Sequence, residues 1–573
     1  SVSAGAGNDS LEDTPTNNFP TFNPLVQNVN TFSEGNLQVT MTSNAPPSFY
    51  STMGVSSGKY YMEFLIKSVN NYPLGISGST QASNFFSLGD QIGFWIDDLY
   101  TRVFRNGSNI TSNSVVVGNF ETGVEGSSTG WAVDDIAGLA LDMDNKIIYL
   151  YKGSTQVGYV NFSTFNYDTV FFGGGNYING NVYIGNFGQR PFAHTPPTGY
   201  KALCSANLPD PTILLPNKHF DTLLYTGNDG TNPISGLSFE PDWVWIKNRS
   251  AISDHILCDQ VRGLFNLRSN QTTQEQSNGS IHLQSFNSDG ITVAGTGSNS
   301  NSNGDNFVAW NWNGGGTDAK TYKVKVVADS TDYGHGTGAN KYQFFKSDGS
   351  TGFGTNAVDL NLEEGGTYIF DWSDSSAQTH PIRFSLTNDG THSSGTSAGT
   401  EYTTGVVKDD SAYKTTITIA SGVANLYYYC QNHSGMGAEI NTNTTKGSTN
   451  FDGSILSVAK ANTTAGFSIV TYTGNGSDGA TIGHGLGVKP DFIVIKKRAN
   501  NSSGNTGNWI AQHKFLSSGV NANSTLFTLT SYSNTMIYLN LQNGQSSYGF
   551  DNQVNGNTDT FVAYCFSEVA GYS

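Results

Sequence analysis

Short alternation of apolar and polar residues, interrupted every few positions by Gly, Asn, Asp or Ser, constrains the fold of this chain more than any other feature. The stretches KYYMEFLI (59–66), NVYIGNFG (181–188) and YKTTITIA (413–420) follow this pattern. A period of two is the repeat of a half-buried strand, and the i, i+3, i+4, i+7 spacing of an amphipathic helix is almost absent. The sequence therefore predicts an all-β protein.

Composition limits the number of domains and the class of partner. The chain has 573 residues, enough for about three to five domains. Its 28 basic and 45 acidic side chains give a net charge of −17, which does not suit contact with nucleic-acid phosphates or an anionic membrane surface. No apolar run approaches the length of a membrane span. We therefore predict neither nucleic-acid binding nor membrane insertion.

The cysteines and the first residues bear on processing. Cys204, Cys258, Cys430 and Cys565 are widely separated, which does not fit a disulfide framework. The opening SVSAGAGNDSLEDTPTNNF lacks the features of a signal peptide and an initiator methionine. We expect residues 1–18 to be a linker and the chain to be a processed product or part of a longer protein.

The first block, residues 19–203, contains several ordered strand patterns. SGKYYMEF is followed by DDIAGLALDMDNKIIYLYKG, in which Asp144 and Asn145 form the turn of a hairpin, and then by VYIGNFGQRPF and GYKAL. In this order the pieces resemble the SPRY (B30.2-like) domain. The resemblance implies a curved β-sandwich that binds a protein or another surface ligand and is not an enzyme.

An internal repeat follows a Pro-rich connector at residues 204–217. Copy 1 (218–316) has YTG at 225–227, PDWVWIKNR at 241–249 and FVAWNW at 307–312. Copy 2 (465–573) has YTG at 472–474, PDFIVIKKR at 490–498 and FVAYCF at 561–566. Such self-similarity indicates two copies of one β-domain. The tryptophans of copy 1 alternate along apolar strands, which favours core packing over stacking on sugars.

The region between the copies, residues 320–445, is called the insert here, and a second linker is expected at 446–464. The predicted order is therefore an SPRY-like block, copy 1, the insert and copy 2, a string of β-sandwich modules. Within the insert, LNLEEGGTYIFDWSD reads as strand, Gly turn and strand, HPIRFSL follows, and YYYCQNHSGMG (427–437) ends the pattern.

These pieces of the insert resemble the cupredoxin pattern, in which a last strand delivers Cys-x2-His-x2-Met into a loop. The resemblance implies the metal ligands His380, Cys430, His433 and Met436. A thiolate, two imidazoles and a weak axial thioether suit copper in both oxidation states. The sequence departs from the family pattern at Pro381, where an Asn usually braces the cysteine loop. Two alternatives stay open, an ordinary buried thiol with a loop histidine, or a ligand set that clips strands together.

The whole chain resembles modular structural proteins of tailed bacteriophages, on DTPTNNF, GYKALCSANLPDPTI, the paired YTG and PD(W/F)(V/I)xIK modules, and HPIRFS with YYYCQNHSGMG. This implies a tail fibre or another virion-surface appendage for host attachment, in contact with other virion proteins and a host receptor, glycan or protein. A homo-oligomer, possibly a trimer, is expected, and no cofactor is required. The alternatives are a capsid-surface decoration protein and a copper-binding redox protein. No catalytic constellation stands out in the sequence, so an enzyme is not predicted.

Overall fold

A computed structural model of the chain describes the residues in the following ranges: 17–25, 30–42, 48–67, 72–78, 91–98, 101–105, 108–109, 124–125, 130–163, 167–175, 180–210, 212–316, 319–390, 392, 399–442, 446–499, 507–514, 533–539, 553–569 and 572. Their regular structure is β-strand apart from two short 3-10 turns, so the all-β prediction is confirmed. Within those ranges no helix is long and apolar enough to span a bilayer. The chain divides into two compact units, residues 1–210 and 211–573.

The first unit is a two-sheet sandwich. Its strands are β1 (Asn30–Ser33), β2 (Gln38–Met41), β3 (Ser48–Val55), β4 (Lys59–Ile66), β5 (Tyr72–Ser77), β6 (Gln91–Ile96), β7 (Thr101–Arg105), β8 (Ser108–Asn109), β9 (Val124–Glu125), β10 (Ile136–Asp142), β11 (Ile147–Lys152), β12 (Thr155–Asn161), β13 (Val170–Gly175), β14 (Val182–Asn186) and β15 (Lys201–Ala202). One sheet has the order β1-β2-β14-β4-β10-β11-β12-β9, with β15 parallel to β4, and the other has the order β3-β13-β5-β6-β7-β8. Met62 and Leu139 of the first sheet share one apolar cluster with Leu74 and Phe172 of the second.

Copy 1 opens the second unit. Its strands are β16 (Phe220–Thr226), β17 (Asn232–Ser235), β18 (Trp243–Asn248), β19 (Ile256–Asp259), β20 (Gly263–Leu267), β21 (Gln276–Ser277), β22 (His282–Asn287), β23 (Gly290–Ala294) and β24 (Asn306–Trp312). They form sheets of order β16-β24-β18-β19-β20-β21 and β17-β23-β22. Of the two 3-10 turns, Ser205–Asn207 lies in the predicted connector and Pro216–Lys218 spans its end and the first residue of copy 1.

The insert is a second sandwich with its own core. Its strands are β25 (Lys320–Ala328), β26 (Asn340–Phe344), β27 (Leu360–Asn361), β28 (Thr367–Asp371), β29 (Ile382–Ser385), β30 (Val406–Asp409), β31 (Lys414–Thr418), β32 (Leu426–Cys430) and β33 (Ala438–Asn441). The two sheets have the orders β26-β25-β28-β31-β30 and β27-β33-β32-β29. Val324 and Phe370 of one sheet pack in the same cluster as Phe384 and Tyr428 of the other.

Copy 2 repeats the strand order of copy 1. Its strands are β34 (Ser448–Asn450), β35 (Ser457–Asn462), β36 (Phe467–Thr473), β37 (Ala480–Gly483), β38 (Phe492–Ala499), β39 (Trp509–His513), β40 (Met536–Leu539) and β41 (Thr560–Phe566). The order β36-β41-β38-β39 matches β16-β24-β18-β19, which confirms the repeat as a structural one. Each main sheet packs on a smaller sheet around its own apolar cluster.

The predicted linker at residues 446–464 is wrong in the structure. This segment contains β34 and β35, and β35 pairs with β36 along six residues, from Ser457 opposite Tyr472 to Asn462 opposite Phe467. The stretch SVAKAN carries one large apolar side chain, Val458, and two alanines, which is why its sequence resembles a linker. Its ladder with β36 makes it part of the sheet of copy 2.

The two copies are packed directly against each other. An apolar cluster joins Trp243 and Leu257 of copy 1 to Phe467 and Ile469 of copy 2. The Trp243 ring is stacked on the Tyr564 ring of copy 2 at a centroid distance of 4.3 Å. Core packing of this tryptophan is therefore observed, but the core in question lies between the copies.

A buried polar network accompanies this apolar contact. Arg262 of copy 1 donates from Nε to the Asp259 carboxylate at 2.6 Å, and from Nη2 to the Tyr564 hydroxyl at 3.2 Å. The Tyr564 hydroxyl in turn donates to Asp259 at 2.8 Å. At the edge of the contact, Glu275 accepts two hydrogen bonds from Arg498 at 2.9 and 3.0 Å. The copies are thus joined by interlocking charged hydrogen bonds as well as by apolar area.

One lysine of copy 2 interacts with both the insert and copy 1. Lys460 on β35 lies 2.8 Å from a Glu363 oxygen of the insert and 3.7 Å from an Asp242 oxygen of copy 1. All three side chains are buried. Asp242 also accepts a hydrogen bond from the backbone N–H of Gly314 at 2.6 Å. Burial raises the pKa of Asp242 to about 7, and Lys460 opposes that rise.

Candidate metal centre

The pairing of two neighbouring strands brings distant ligand residues to one end of the insert. β29 and β32 are antiparallel, and Ile382 lies opposite Cys430. His380 precedes β29 by two residues, so it lies beside the residues that follow Cys430. Residues 431–437 then turn back into β33, which pairs with β32 on its other side. The loop that carries His433 and Met436 is therefore fixed at both ends by one sheet.

Three of the four predicted ligands converge. One ligand atom from each of His380, Cys430 and His433 lies within 4.8 Å of the other two. The Cys430 sulfur is 3.6 Å from His380 Nδ1 and 3.7 Å from His433 Nδ1. The two imidazole rings are 4.6 Å apart between centroids. The fourth predicted ligand, Met436, is fully buried in the same apolar cluster as Cys430.

These sulfur–nitrogen separations fit a bound metal ion. Metal–sulfur and metal–nitrogen bonds of about 2.3 and 2.05 Å place the two donor atoms about 3.6 Å apart at a tetrahedral angle and about 3.8 Å apart at 120°. The observed values of 3.6 and 3.7 Å lie in this interval. The same distances also allow thiol–imidazole hydrogen bonds without a metal. A soft thiolate with two imidazoles suits copper and also satisfies zinc.

The surroundings favour uncharged donors before a metal binds. Burial raises the pKa of the Cys430 thiol, while the N–H groups of Asn432 and His433 and the Tyr342 hydroxyl oppose this rise. Burial lowers the pKa of His380, and the neighbouring His433 lowers it further. His433 is exposed, whereas His380 and Cys430 are buried. A metal would therefore enter from the His433 side and would displace the thiol proton.

Hydrogen bonds to the ligand loop involve Asn432, which the sequence pattern did not indicate, as well as Pro381. The Asn432 backbone N–H points at the Cys430 sulfur at 3.4 Å, and its side-chain amide donates to the Thr379 carbonyl at 2.9 Å. The Pro381 carbonyl accepts the N–H of Gln431 at 2.9 Å. Pro381 therefore contributes an acceptor, and Asn432 adds a second hydrogen bond between the loop and the segment that carries His380.

A second brace lies behind the cysteine. His392 Nδ1 donates to the Cys430 carbonyl at 2.9 Å, and its Nε2 lies 3.2 Å from the Asp389 carboxylate. Asp389 also accepts the Gly435 N–H at 2.8 Å. The hydroxyl of the buried Tyr342 donates to the His380 carbonyl at 2.6 Å. Hydrogen bonds of this outer kind orient ligands and adjust metal affinity. The position of Asn432 inside the ligand loop was a usable sequence signal, whereas Tyr342 and His392 become neighbours only through the fold.

Comparisons with known proteins cover the chain in pieces. A family model described as "Domain of unknown function (DUF7483)" matches residues 215–328 and 430–573. The two segments include both repeat copies, Cys430, His433 and Met436, but not His380. No curated protein matches the chain.

Solved structures similar to part of the chain include SPRY domains. The SPRY domain of human HERC1 has 16% sequence identity and a TM-score of 0.23, and the match covers 29% of this chain and 96% of that one. The PSpry domain of TRIM65 has 12% identity and a TM-score of 0.24, and the match covers 29% of this chain and 89% of that one.

Proposed function

We propose that this chain is a structural component of a bacteriophage virion surface, a tail fibre or appendage that displays β-modules for host attachment. The observation that carries the proposal is the build of the chain, in which two-sheet modules with closed apolar cores follow one another and one module is duplicated. Loops at the ends of such sandwiches are free to vary in sequence and to contact a receptor. The phage-like sequence pieces quoted above support the virion assignment.

Location on the particle and receptor binding are tested separately. Gold-labelled antibody against this chain is expected to decorate the tails of intact particles in electron micrographs. Decoration of the head would favour the capsid-surface alternative, and absence of label would contradict the virion assignment. The soluble chain, added before the phage, is expected to reduce adsorption to host cells. Unchanged adsorption at saturating protein would exclude a direct attachment role.

A second candidate function is copper binding by the insert. The observation that favours it is the spacing of the Cys430 sulfur from two imidazole nitrogens, which fits a metal ion. His380, Cys430 and His433 would hold the ion, with Met436 as the fourth ligand that the cupredoxin resemblance implies. Bound copper would supply one-electron chemistry, and in a display protein it would act as a clip across β29 and β32.

Spectroscopy distinguishes a copper site from a thiol without metal. Titration with Cu(II) is expected to produce an intense thiolate charge-transfer band that Cys430→Ser abolishes. A clip without a redox role predicts that Zn(II) raises the unfolding temperature as Cu(II) does. If excess copper gives no band, the copper and redox hypotheses fail, and a band that persists in Cys430→Ser would locate the site elsewhere.

A further inference from the structure

The two repeat copies treat the same sheet edge differently. In copy 2 the outer edge of β36 is paired with β35 along six residues. The corresponding strand of copy 1 is β16, the terminal strand of its sheet. In the described part of the chain, no strand pairs with the outer edge of β16. The repeat itself therefore shows that this domain accepts a further antiparallel strand at a position that copy 1 leaves open.

The face beside this edge is more exposed in copy 1 than in copy 2, where packing against copy 1 also covers Ile469, Val562 and Tyr564. Leu224 of β16 is 65% exposed, whereas the corresponding residue of copy 2, Thr471, is 9% exposed. Thr222 is exposed, whereas its counterpart Ile469 is fully buried. The next strand of copy 1 places Val308 beside Leu224 and Trp310 beside Thr222. Both are partly exposed, while their counterparts in copy 2 are fully buried.

The sequence explains why copy 1 does not supply its own covering strand. By the offset of the repeat, residues 201–215, which precede copy 1, correspond to residues 448–462, which contain β34 and β35. Residues 201–202 are used as β15 in the first unit. The rest of the segment and its continuation contain Pro209, Pro211 and Pro216. Proline has no N–H to donate to a ladder, so this connector is a poor strand.

The open edge presents regularly spaced backbone groups. At the two ends of the ladder, Gly227 N–H donates to the Asp305 carbonyl, and Asn313 N–H donates to the His219 carbonyl. Backbone groups alternate in direction along an antiparallel strand. The odd-numbered residues of β16 therefore face β24, and Phe220, Thr222, Leu224 and Thr226 direct their peptide groups to the open side.

β16 has little of the usual protection of an edge strand. It is seven residues long, pairs with β24 without a bulge, contains neither lysine nor proline, and carries one charged residue, Asp221. Edge strands that avoid association are short, charged, bulged or interrupted by proline. The terminal strand β30 of the insert fits that description, because it has four residues that include Lys408 and Asp409.

We propose that β16 is an interface with a second copy of this chain, in which β16 pairs antiparallel with β16 of the partner subunit about a twofold axis at Leu223. An isologous contact of this kind uses one patch on both subunits. In this register Thr222 lies opposite Leu224 of the partner subunit. The peptide groups that β16 directs to its open side then form hydrogen bonds with the same groups of the partner strand along the whole ladder. Asp221, the charged residue of β16, lies opposite Tyr225 of the partner subunit, so like charges are not opposed.

The exposed patch supports the same register. Leu224, Thr222, Val308 and Trp310 lie on one face of the sheet, and the twofold axis joins the two patches into one apolar surface. The inference stands independently of the virion assignment, because neither the location on a particle nor receptor binding enters it.

The mass of the full-length protein in solution tests the proposal. Analytical ultracentrifugation is expected to show a dimer for the unsubstituted chain. Leu224→Lys is expected to raise the dimer dissociation constant by about a hundredfold or more, because it places cations in an apolar contact around the axis. Val407→Lys is the matched control, since Val407 lies on the edge strand β30 and is also 65% exposed. This control is expected to leave the dimer unchanged.

Cysteine pairing tests the register. A mixture of the Thr222→Cys and Leu224→Cys proteins is expected to form a disulfide-linked heterodimer faster than either protein links to itself. The native cysteines are buried, so they contribute little background. A monomer at all concentrations, an oligomer that Leu224→Lys does not weaken, or a lack of preference for the mixed disulfide would each overturn the proposal.

Discussion

Cys258 and Cys565 in the paired copies and Cys430 in the insert are all buried, free cysteines, yet they have different neighbours. Burial raises the pKa of Cys258 and of Cys565 to about 12, and their polar contacts are Asn278 and Ser468. Cys430 instead has two imidazole nitrogens within 3.7 Å. Burial alone produces an inert thiol, whereas convergence of donors beside an exposed residue produces a candidate site.

The two regions also use buried charge differently. In the paired copies, Arg262, Asp259 and Tyr564 satisfy one another, and the network joins two modules. In the insert, the outer hydrogen bonds of Asn432 and His392 end at the ligand loop. The first arrangement stabilises a contact, and the second orients donors.

The largest expected effect is loss of the arginine between the copies. Arg262→Met leaves the buried Asp259 carboxylate without its counter-charge, so the free energy of unfolding is expected to fall by about 3–5 kcal/mol. Urea denaturation followed by tryptophan fluorescence measures it. Arg249→Met, at an exposed arginine of the same copy, is the control and is expected to change stability by no more than about 0.5 kcal/mol. Equal losses in both variants would contradict a structural role of the network.

The second prediction concerns the thiol at the candidate metal centre. Cys430→Ser removes the soft ligand, and the affinity for Cu(II) or Zn(II) is expected to fall by more than about a hundredfold, since loss of outer-shell partners alone costs about 10–100-fold. Competition with a chromophoric chelator measures the affinity. Cys258→Ser is the matched control, because Cys258 is equally buried in copy 1. Equal affinities of the two variants would show that Cys430 is not a ligand.

Much of the fold could be predicted from the sequence, and the reasons are local. The period of two in KYYMEFLI and YKTTITIA corresponds to β4 and β31, and the repeat offset corresponds to matched strand order. The linker prediction at 446–464 failed because SVAKAN gains its strand structure from pairing with β36 and not from its own apolar pattern. Partner-dependent strands of this kind have little signal in a single sequence.

The candidate site shows the same limit. The spacing of Cys430, His433 and Met436 lies within one loop, so it is visible in the sequence. Tyr342 and His392 precede Cys430 by 88 and 38 positions, so their hydrogen bonds to the site are not visible in the sequence. Likewise, alternation placed Trp243 in a core, but only the packing of the copies shows that this core includes Tyr564.

The third prediction concerns His282, a buried histidine of copy 1 whose protonation makes the free energy of unfolding depend on pH. Burial lowers the pKa of His282 to about 4, and its Nδ1 lies 2.8 Å from the Ser300 hydroxyl. The unfolded chain, with a pKa near 6.5, takes up the proton first as the pH falls. Neutral His282 therefore contributes fully to the free energy of unfolding above about pH 6.5. This contribution is lost as the pH falls from about 6.5 to 4, and the loss is about 3 kcal/mol at most.

His282→Asn isolates this contribution. Asparagine tolerates the positive φ of 67° at this position. Urea unfolding from pH 7.5 to 4.5 is expected to show a smaller loss of stability in the variant than in the unsubstituted chain. Parallel pH profiles of the two proteins would mean that folding does not lower the pKa of His282.

The smallest expected effect concerns the brace of the ligand loop. Asn432→Ala keeps the backbone N–H that points at the Cys430 sulfur. It removes the hydrogen bond from the side-chain amide to the Thr379 carbonyl. The loop then loses one restraint and no ligand, so metal affinity is expected to fall by about tenfold. Gln431→Ala is the control, because the bond of Gln431 to Pro381 comes from its backbone N–H. A larger loss of metal affinity in Gln431→Ala than in Asn432→Ala would show that the Asn432 amide does not position the loop. If both variants keep the unfolding temperature of the unsubstituted chain, any difference in affinity is assigned to ligand orientation.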